Sequence, residues 1–449
     1  FGRVNYDFAG KYLLEGNIRY DGSSRFAKGN KWGIYPSFSA GWRFSQEHFM
    51  ENLKWLSNAK LRASWGQLGN QEGLGSNYPY SMDINISQPM IFNQIVSNGY
   101  AATDYAMRDI TWETTEMTDI GIDLGLLDGK IDLVFDYYIK TTDNILMAMD
   151  IPSVMGYGNQ PRQNAGKVRN KGWDVSAAYN GRQNDFSYRI AATLSDVKNE
   201  ILDMKGIVQT SESILTNREG YPINSIWGLV DDGLFPSFDA ARSSLAQWGK
   251  LQGGDVKYLD QPTVDSDGDG VPDAGDGVID VNDFKVIGNT IPRYTFSLDF
   301  SMQYKDFDLG LFFQGVGKRD GYLRGDLAWA FNNAGNIQNW QRDGRWQEGQ
   351  TNADYPRLFI SSANNTQTST YWMQNAAYLR LKNLQLGYSI PRKVLKSSFI
   401  KSARFYISAQ NLFTLDHMAP GYDPEQKDNN ARDTMPLVST YSLGFNLNF

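Results

Sequence analysis

From Tyr294 the chain alternates in character: Tyr294, Phe296, Leu298, Phe300, Met302 and Tyr304 share one parity, and Thr295, Ser297, Asp299, Ser301 and Gln303 share the other. Successive side chains of a β-strand point to opposite faces, so such a run reads as a strand with one apolar and one polar side. The pattern recurs at Tyr12-Leu14-Gly16-Ile18-Tyr20, Ile131-Leu133-Phe135-Tyr137-Ile139, Phe186-Tyr188-Ile190-Ala192-Leu194 and Phe307-Leu309-Leu311-Phe313. At 378–388 the apolar set changes parity, from Leu379 and Leu381 to Leu384, Leu386 and Tyr388, which predicts a β-bulge near Lys382 and Asn383.

Thirteen strands are expected, at 1–8, 11–20, 34–44, 58–68, 114–126, 130–142, 169–180, 185–198, 293–305, 307–319, 377–390, 402–415 and 437–449. Their connections alternate in length. Short ones fall at 9–10, 45–57, 127–129, 181–184, 305–306 and 391–401, and long ones at 21–33, 69–113, 143–168, 199–292, 320–376 and 416–436. All long loops therefore leave one end of the strands. Outer-membrane barrels have this rhythm, with short periplasmic turns and long external loops, and strand aromatics gathered towards segment ends. A mean hydropathy of −0.47 is compatible with it, because only alternate residues meet lipid. No window approaches the roughly 18 consecutive apolar residues of a membrane helix.

The final strand sets Tyr441, Leu443, Phe445, Leu447 and Phe449 on one face, with Ser442, Gly444, Asn446 and Asn448 on the other. This resembles the terminal assembly signal of outer-membrane proteins and would place Phe449 at the periplasmic end; the alternative is an ordinary last strand of a soluble sheet. An odd strand number does not complete a single-chain bacterial barrel. No signal peptide opens the chain, and Phe1 enters strand-like sequence directly, so the missing part is expected upstream.

Several stretches together resemble the SusC/RagA family of TonB-dependent transporters: YDGSSRFAKGNKWGIYPSFSAGWRFSQE (20–47), LRASWGQLGNQ (61–71), VIGNTIPRYTFSLDFSMQYKDFDLGLFFQGVGKRD (286–320), YLRLKNLQLGYSIP (378–391), YISAQNLFTL (406–415), DPE (423–425) and the closing YSLGFNLNF. The resemblance implies an all-β, transmembrane antiparallel barrel of about 22 strands around a plugged lumen. Residues 1–449 would be its C-terminal part, with the plug, the TonB-contacting segment and the first strands absent. It also implies TonB-dependent import of oligosaccharides or oligopeptides across the bacterial outer membrane. The partners implied are the TonB–ExbB–ExbD machinery, reached through the missing N-terminal part, a SusD-like surface lipoprotein over the barrel mouth, and outer-membrane lipid.

Composition narrows the chemistry. A net charge of −7 leaves no basic footprint for nucleic acid. With no cysteine and only His48 and His417, thiol chemistry, disulfides and His-cluster metal sites are excluded. An outer-membrane enzyme acting on surface glycans or lipids would need a converging acid–base or nucleophile–His set, and none is visible. Asp231 and Asp232 read as a solvated turn rather than glycosidase acids, and the two histidines as structural or surface residues. A passive porin is the other alternative.

Two loops carry candidate sites. In 265–276, Asp265, Asp267, Asp269, Asp273 and Asp276 fall at positions 1, 3, 5, 9 and 12 of an EF-hand-like loop, with Gly270 at 6 and the Val271 carbonyl at 7. Position 12 is Asp rather than Glu, and Pro272 stands where an aliphatic residue is usual. A second half-motif adds Asp280 and Asp283. A structural Ca²⁺ or Mg²⁺ is expected here; the alternative is a solvated acidic loop. In 320–376, Trp329, Phe331, Asn333, Trp340, Arg342, Trp346 and Trp372 offer rings, amides and guanidiniums suited to sugar or peptide. The alternative is that these aromatics pack the loop against itself or its lid. Loop 77–113 carries a similar mixture in Tyr78, Tyr80, Phe92, Tyr100, Tyr105 and Trp112.

Overall fold

The computed structural model describes residues 1–449 except 83, 103, 104, 150, 151, 153, 155–159, 212, 213, 351, 396–398, 427, 428 and 431–436. Parts of the expected loops 69–113, 143–168, 199–292, 320–376 and 416–436, and of the turn 391–401, lie outside the described residues. The chain divides into two compact units, 1–208 with 218–223 and 209–217 with 224–449.

The first unit contains an antiparallel run of eight long strands: β1 (Gly2–Phe8), β2 (Tyr12–Gly22), β3 (Trp32–Trp42), β4 (Leu56–Asn70), β5 (Glu113–Leu126), β6 (Ile131–Ala148), β7 (Arg162–Gln183) and β8 (Phe186–Asp203). The second contains five: β9 (Arg293–Tyr304), β10 (Phe307–Lys318), β11 (Tyr378–Ser389), β12 (Ser402–Asp416) and β13 (Thr440–Asn448). Within each unit every long strand pairs with its sequence neighbour, as an up-and-down meander requires. All thirteen expected strands are present. The expected bulge is present too: Leu381 and Asn383 both pair across to β10 and β12, and the register shifts between them.

Cross-strand pairing shows what the alternation does. Arg62 lies opposite Gly121, Gly121 opposite Asp136, and Asp136 opposite Asp174, so one face is polar. The neighbouring rung runs Leu61, Ile122, Phe135 and Val175, so the other is apolar. Ile120, Phe135 and Tyr137 are largely exposed on that face, as are Phe405, Ile407, Leu443 and Phe445 in the second unit. A water-soluble surface rarely tolerates apolar area of this extent, whereas lipid covers it without cost. Rings mark both ends of the band. Tyr20 stacks on Trp32 at 4.7 Å near the long loops, and Phe8 meets Tyr12 at 6.4 Å near the short turn. Tyr12 and Tyr20 are eight residues apart, about 27 Å along a strand and comparable to the ~25 Å apolar band of such barrels.

Three strands outrun the expectation by several residues, the rest by at most two residues at either end. β6, β7 and β8 extend to Ala148, back to Arg162 and on to Asp203, so the loops 143–168 and 199–292 are shorter than read. The added segments, such as Arg162-Gln-Asn-Ala-Gly-Lys-Val168, carry no apolar alternation. They hydrogen-bond as strands but no longer need a lipid face, so the periodicity that finds strands is absent there. Loop 69–113 also holds a hairpin, Ile84–Phe92 with Ile95–Ala102, turned by Asn93 and Gln94 at positive φ.

Candidate functional site

Compact packing in the second unit lies in its loops rather than its long strands. Segments from 209–217, 224–292, 319–376 and 416–426 gather around Tyr322, Leu323, Tyr355, Trp372 and Tyr422, all buried. Several polar groups sealed inside are paired with one another. Asp255 is buried, meets Arg357 at 2.7 Å and accepts a bond from Asn365 Nδ2 at 2.8 Å. The Tyr258 hydroxyl donates to the Asn364 carbonyl at 2.7 Å. The Tyr355 hydroxyl donates to the Ala328 carbonyl and accepts from Ala330 N–H, and burial pushes its pKa up to about 12. A buried polar group left unpaired would cost ~1–3 kcal/mol, so these bonds fix one arrangement of long loops.

The residues singled out in 320–376 divide by position. Trp372 is 2% exposed, donates its indole N–H to the Asn365 carbonyl at 2.8 Å, and meets Tyr355 and Tyr371 edge-on. Trp346 is 8% exposed and lies over Gly254, where an added Cβ would sit 2.5 Å from its ring. These two are packed among the loops they join. Trp340 sits edge-on to Tyr355 at 5.3 Å, and Trp329 and Phe331 are half-buried against the same cluster. Asn333 and Arg342 are exposed. Phe331 and Asn333 adopt φ of 60° and 50°, a conformation that costs β-carbon residues energy, and the Asn332 and Asn333 amides both bond Asp326. Arg342 pairs with Asp343 through two bonds, 2.7 and 3.1 Å.

The acidic loop brings together three of its candidate ligands. Carboxylate oxygens of Asp265, Asp267 and Asp269 lie within 4.8 Å of one another. Each also accepts a backbone N–H ahead of it, from Gly268 and Gly270, from Asp269, and from Val271 respectively. The bonds from Gly270 and Gly268 hold the Asp265 carboxyl below its usual range, so it is ionised at neutral pH. The other four are engaged elsewhere. Asp273 accepts from Ser266, Asp276 accepts from Val278 N–H, and Asp280 and Asp283 cap a short 3-10 turn at Val281–Asp283. Asp283 is buried and also receives Gln261 N–H, so its carboxylate builds the loop base.

Two clusters were not picked out as sites from the sequence. On the polar face of the first unit, Arg62 Nη2 reaches Asp123 at 2.8 Å and Asp136 at 2.9 Å, tying three strands together. The signal was available, since all three fall on the polar parity of their strands. In the second unit the Asp-Pro-Glu stretch folds onto β11. Asp423 meets Arg380, Glu425 meets Arg380, Lys382 and the Tyr378 hydroxyl, and Arg319 donates to the Pro424 and Gln426 carbonyls. Only spacing along the chain was visible there, not the fold-back that joins them. At the C-terminus, Tyr441, Leu443, Phe445 and Leu447 form one exposed face of β13 and Phe449 follows it, also exposed, with Phe445 beside Phe405 and Phe449 beside Phe399.

The sequence matches the family described as TonB dependent receptor-like, beta-barrel, over residues 1–412. It is 32% identical to TonB-dependent receptor P3 of Formosa agariphila, covering 100% of this chain and 45% of that protein. It is 27% identical to TonB-dependent receptor SusC of Bacteroides thetaiotaomicron, covering 100% of this chain and 43% of that protein. Among solved structures, the RagAB peptide transporter superposes with a TM-score of 0.80 at 23% identity, covering 100% of this chain and 47% of that one. The chain thus spans less than half the length of these relatives.

Proposed function

The chain belongs to the TonB-dependent receptor β-barrel family of the outer membrane, and from that premise we propose that the whole protein is a SusC/RagA-type importer of oligomers too large for porins. The observation carrying this is the match over nearly the whole chain to receptors of that family, on strands whose outer face suits lipid and whose inner face is polar. The substrate is an oligosaccharide or oligopeptide. Energy comes from TonB–ExbB–ExbD. A SusD-like surface lipoprotein covers the loops, which are placed outside the cell by their length. Of the residues named in 320–376, the half-buried or exposed Trp329, Phe331, Asn333, Trp340 and Arg342 are those able to meet substrate or lid. A Ca²⁺ held by Asp265, Asp267 and Asp269, with the Val271 carbonyl beside them, stiffens the acidic loop and takes no part in chemistry.

Growth tests this reading. Cells lacking the protein, or lacking TonB, should fail on the oligomer whose uptake it supports and still grow on its monomer. Unimpaired growth without TonB would indicate passive passage and overturn it. Purification from the native membrane without crosslinker should bring the lipoprotein along.

A further inference from the structure

At the long-loop end of the first unit, the segment 71–81 leaves β4 and folds over its polar face. Leu74 is buried against Phe26, Ile110 and Leu146, and Trp112 of the same cluster meets Tyr35, whose strand parity is that of the polar face. Glu113 fixes the base, accepting from Asn70 Nδ2 at 2.7 Å and Leu146 N–H at 2.9 Å. Beyond this anchor the chain forms a concavity lined by Ser76, Tyr78, Pro79, Tyr105, Pro161 and Arg162. A second hollow continues from it past Tyr105, Met107, Arg108, Asp109 and Arg162, so its charged lining is mixed and the single cation belongs to the first concavity.

The lining is built for presentation. Arg162 Nη1 donates to the Gly73 carbonyl at 2.7 Å, and Gly75, at φ +71°, leaves room for the guanidinium: an added Cβ would sit 3.0 Å from its Nε. Arg162 has no ion-pair partner among the described residues, and none of the other five lining residues named is charged. Tyr78 is 56% exposed and Tyr105 44%, although Tyr78 is steadied by an edge-on contact with Tyr80 at 6.2 Å. Lining backbone groups bond one another, Ser81 N–H to the Tyr78 carbonyl and Met107 N–H to the Pro79 carbonyl. Those backbone groups are not free to pair with a peptide added as a strand, which leaves recognition there to the side chains.

We propose that this concavity binds an oligosaccharide carrying an anionic group, a uronate carboxylate or a sulfate ester. Each pyranose offers an apolar C–H face to a tyrosine ring, and the guanidinium receives the anion in a charge-assisted, two-pronged bond. The inference rests on the importer reading above and names the substrate class it would carry.

The test uses the full-length protein in detergent, with binding measured for tetragalacturonate, a sulfated galactan tetrasaccharide, neutral xylotetraose and tetraglutamate. An anionic tetrasaccharide should bind at least tenfold tighter than xylotetraose. Arg162→Gln should remove that preference. Tyr78→Ala with Tyr105→Ala should weaken every sugar tenfold or more, and Tyr78→Phe should bind as the parent does, which shows that the fold survives. Equal binding of charged and neutral sugars, tighter binding of tetraglutamate, or no effect of the variants would overturn the site. If TonB-dependent uptake persists while no sugar binds here, the importer reading stands and this site falls. Loss of TonB dependence would sink the importer reading instead.

Discussion

Arg380 and Asp423 meet at 2.8 Å across 43 residues of sequence, with Arg380 only 1% exposed. Its guanidinium also reaches Glu425 at 3.1 Å and donates to Thr414 Oγ1 at 2.7 Å. The loop after β12 is thereby tied to β11 by a charge that water cannot stabilise. Removing one partner of such a pair costs ~3–5 kcal/mol, because the other charge stays buried and unpaired. Arg380→Met should lower unfolding stability in detergent by about that amount and expose 416–426 to protease. Asp423→Asn should cost less, since the amide oxygen still accepts from Arg380 and from Glu425 N–H.

Glu425 gives the same latch a pH dependence. Burial alone would raise its carboxyl, but hydrogen bonds from Lys382 and Tyr378 and the charges of Arg380 and Lys382 outweigh it, and the pKa falls below the usual 4.5. A carboxyl depressed on folding contributes stability that is complete above its unfolded pKa and lost as pH drops through the folded value. The latch should therefore hold from neutral pH down to about 4.5 and loosen progressively below. Protease cleavage within 416–426, followed from pH 7 to pH 3, checks this. Glu425→Gln should show a flatter profile, weaker at neutral pH and less sensitive to acid.

Calcium should bind the 265–269 carboxylates and protect their loop. Asp267→Ala and Asp269→Ala should each weaken Ca²⁺ binding by calorimetry at least tenfold, because hard-oxygen sites depend on ligand charge and number. Ca²⁺ at a hundred times its dissociation constant would add about 2.7 kcal/mol to the stability of whatever unfolds with the site. Identical proteolysis of the loop with Ca²⁺ and with EDTA would count against a bound ion. Asp283→Ala should instead destabilise the loop in both conditions, since that carboxylate is spent on Gln261 and Asp280.

The strands were legible because lipid and lumen impose opposite demands on alternate residues, and Ile131 to Ile139 shows it in nine letters. Legibility stops where one of those demands stops. Arg162 to Val168 is strand without alternation, because hydrogen bonding continues where lipid does not. The long loops obey a third rule, packing on themselves, and it leaves no period in the sequence. Trp372 and Arg342 look equally suited to a ligand as letters, yet one is buried on the Asn365 carbonyl and the other is exposed beside Asp343. The acidic motif was found by spacing, but spacing could not show that Asp280 and Asp283 would turn towards each other and form a capping box.

Val175 and Ser176 are neighbours on β7 that should respond oppositely to the same substitution. Val175 lies opposite Phe135 and Leu194 on the apolar face, and Ser176 opposite Val134 and Thr193 on the other. An arginine facing lipid near the bilayer midplane costs ~2–4 kcal/mol, whereas one facing a polar lumen keeps its hydration. Val175→Arg should lower the unfolding free energy of the full-length protein in lipid bilayers, read from urea titration, by an amount in that range. Ser176→Arg should leave it within about 0.5 kcal/mol of the parent, as surface changes usually do. In non-ionic detergent, where headgroups and water can reach the substituted side chain, the difference between the two variants should shrink. Equal losses for both in bilayers would mean that both faces are packed alike, and the assignment of an outer lipid face and an inner polar face would be wrong.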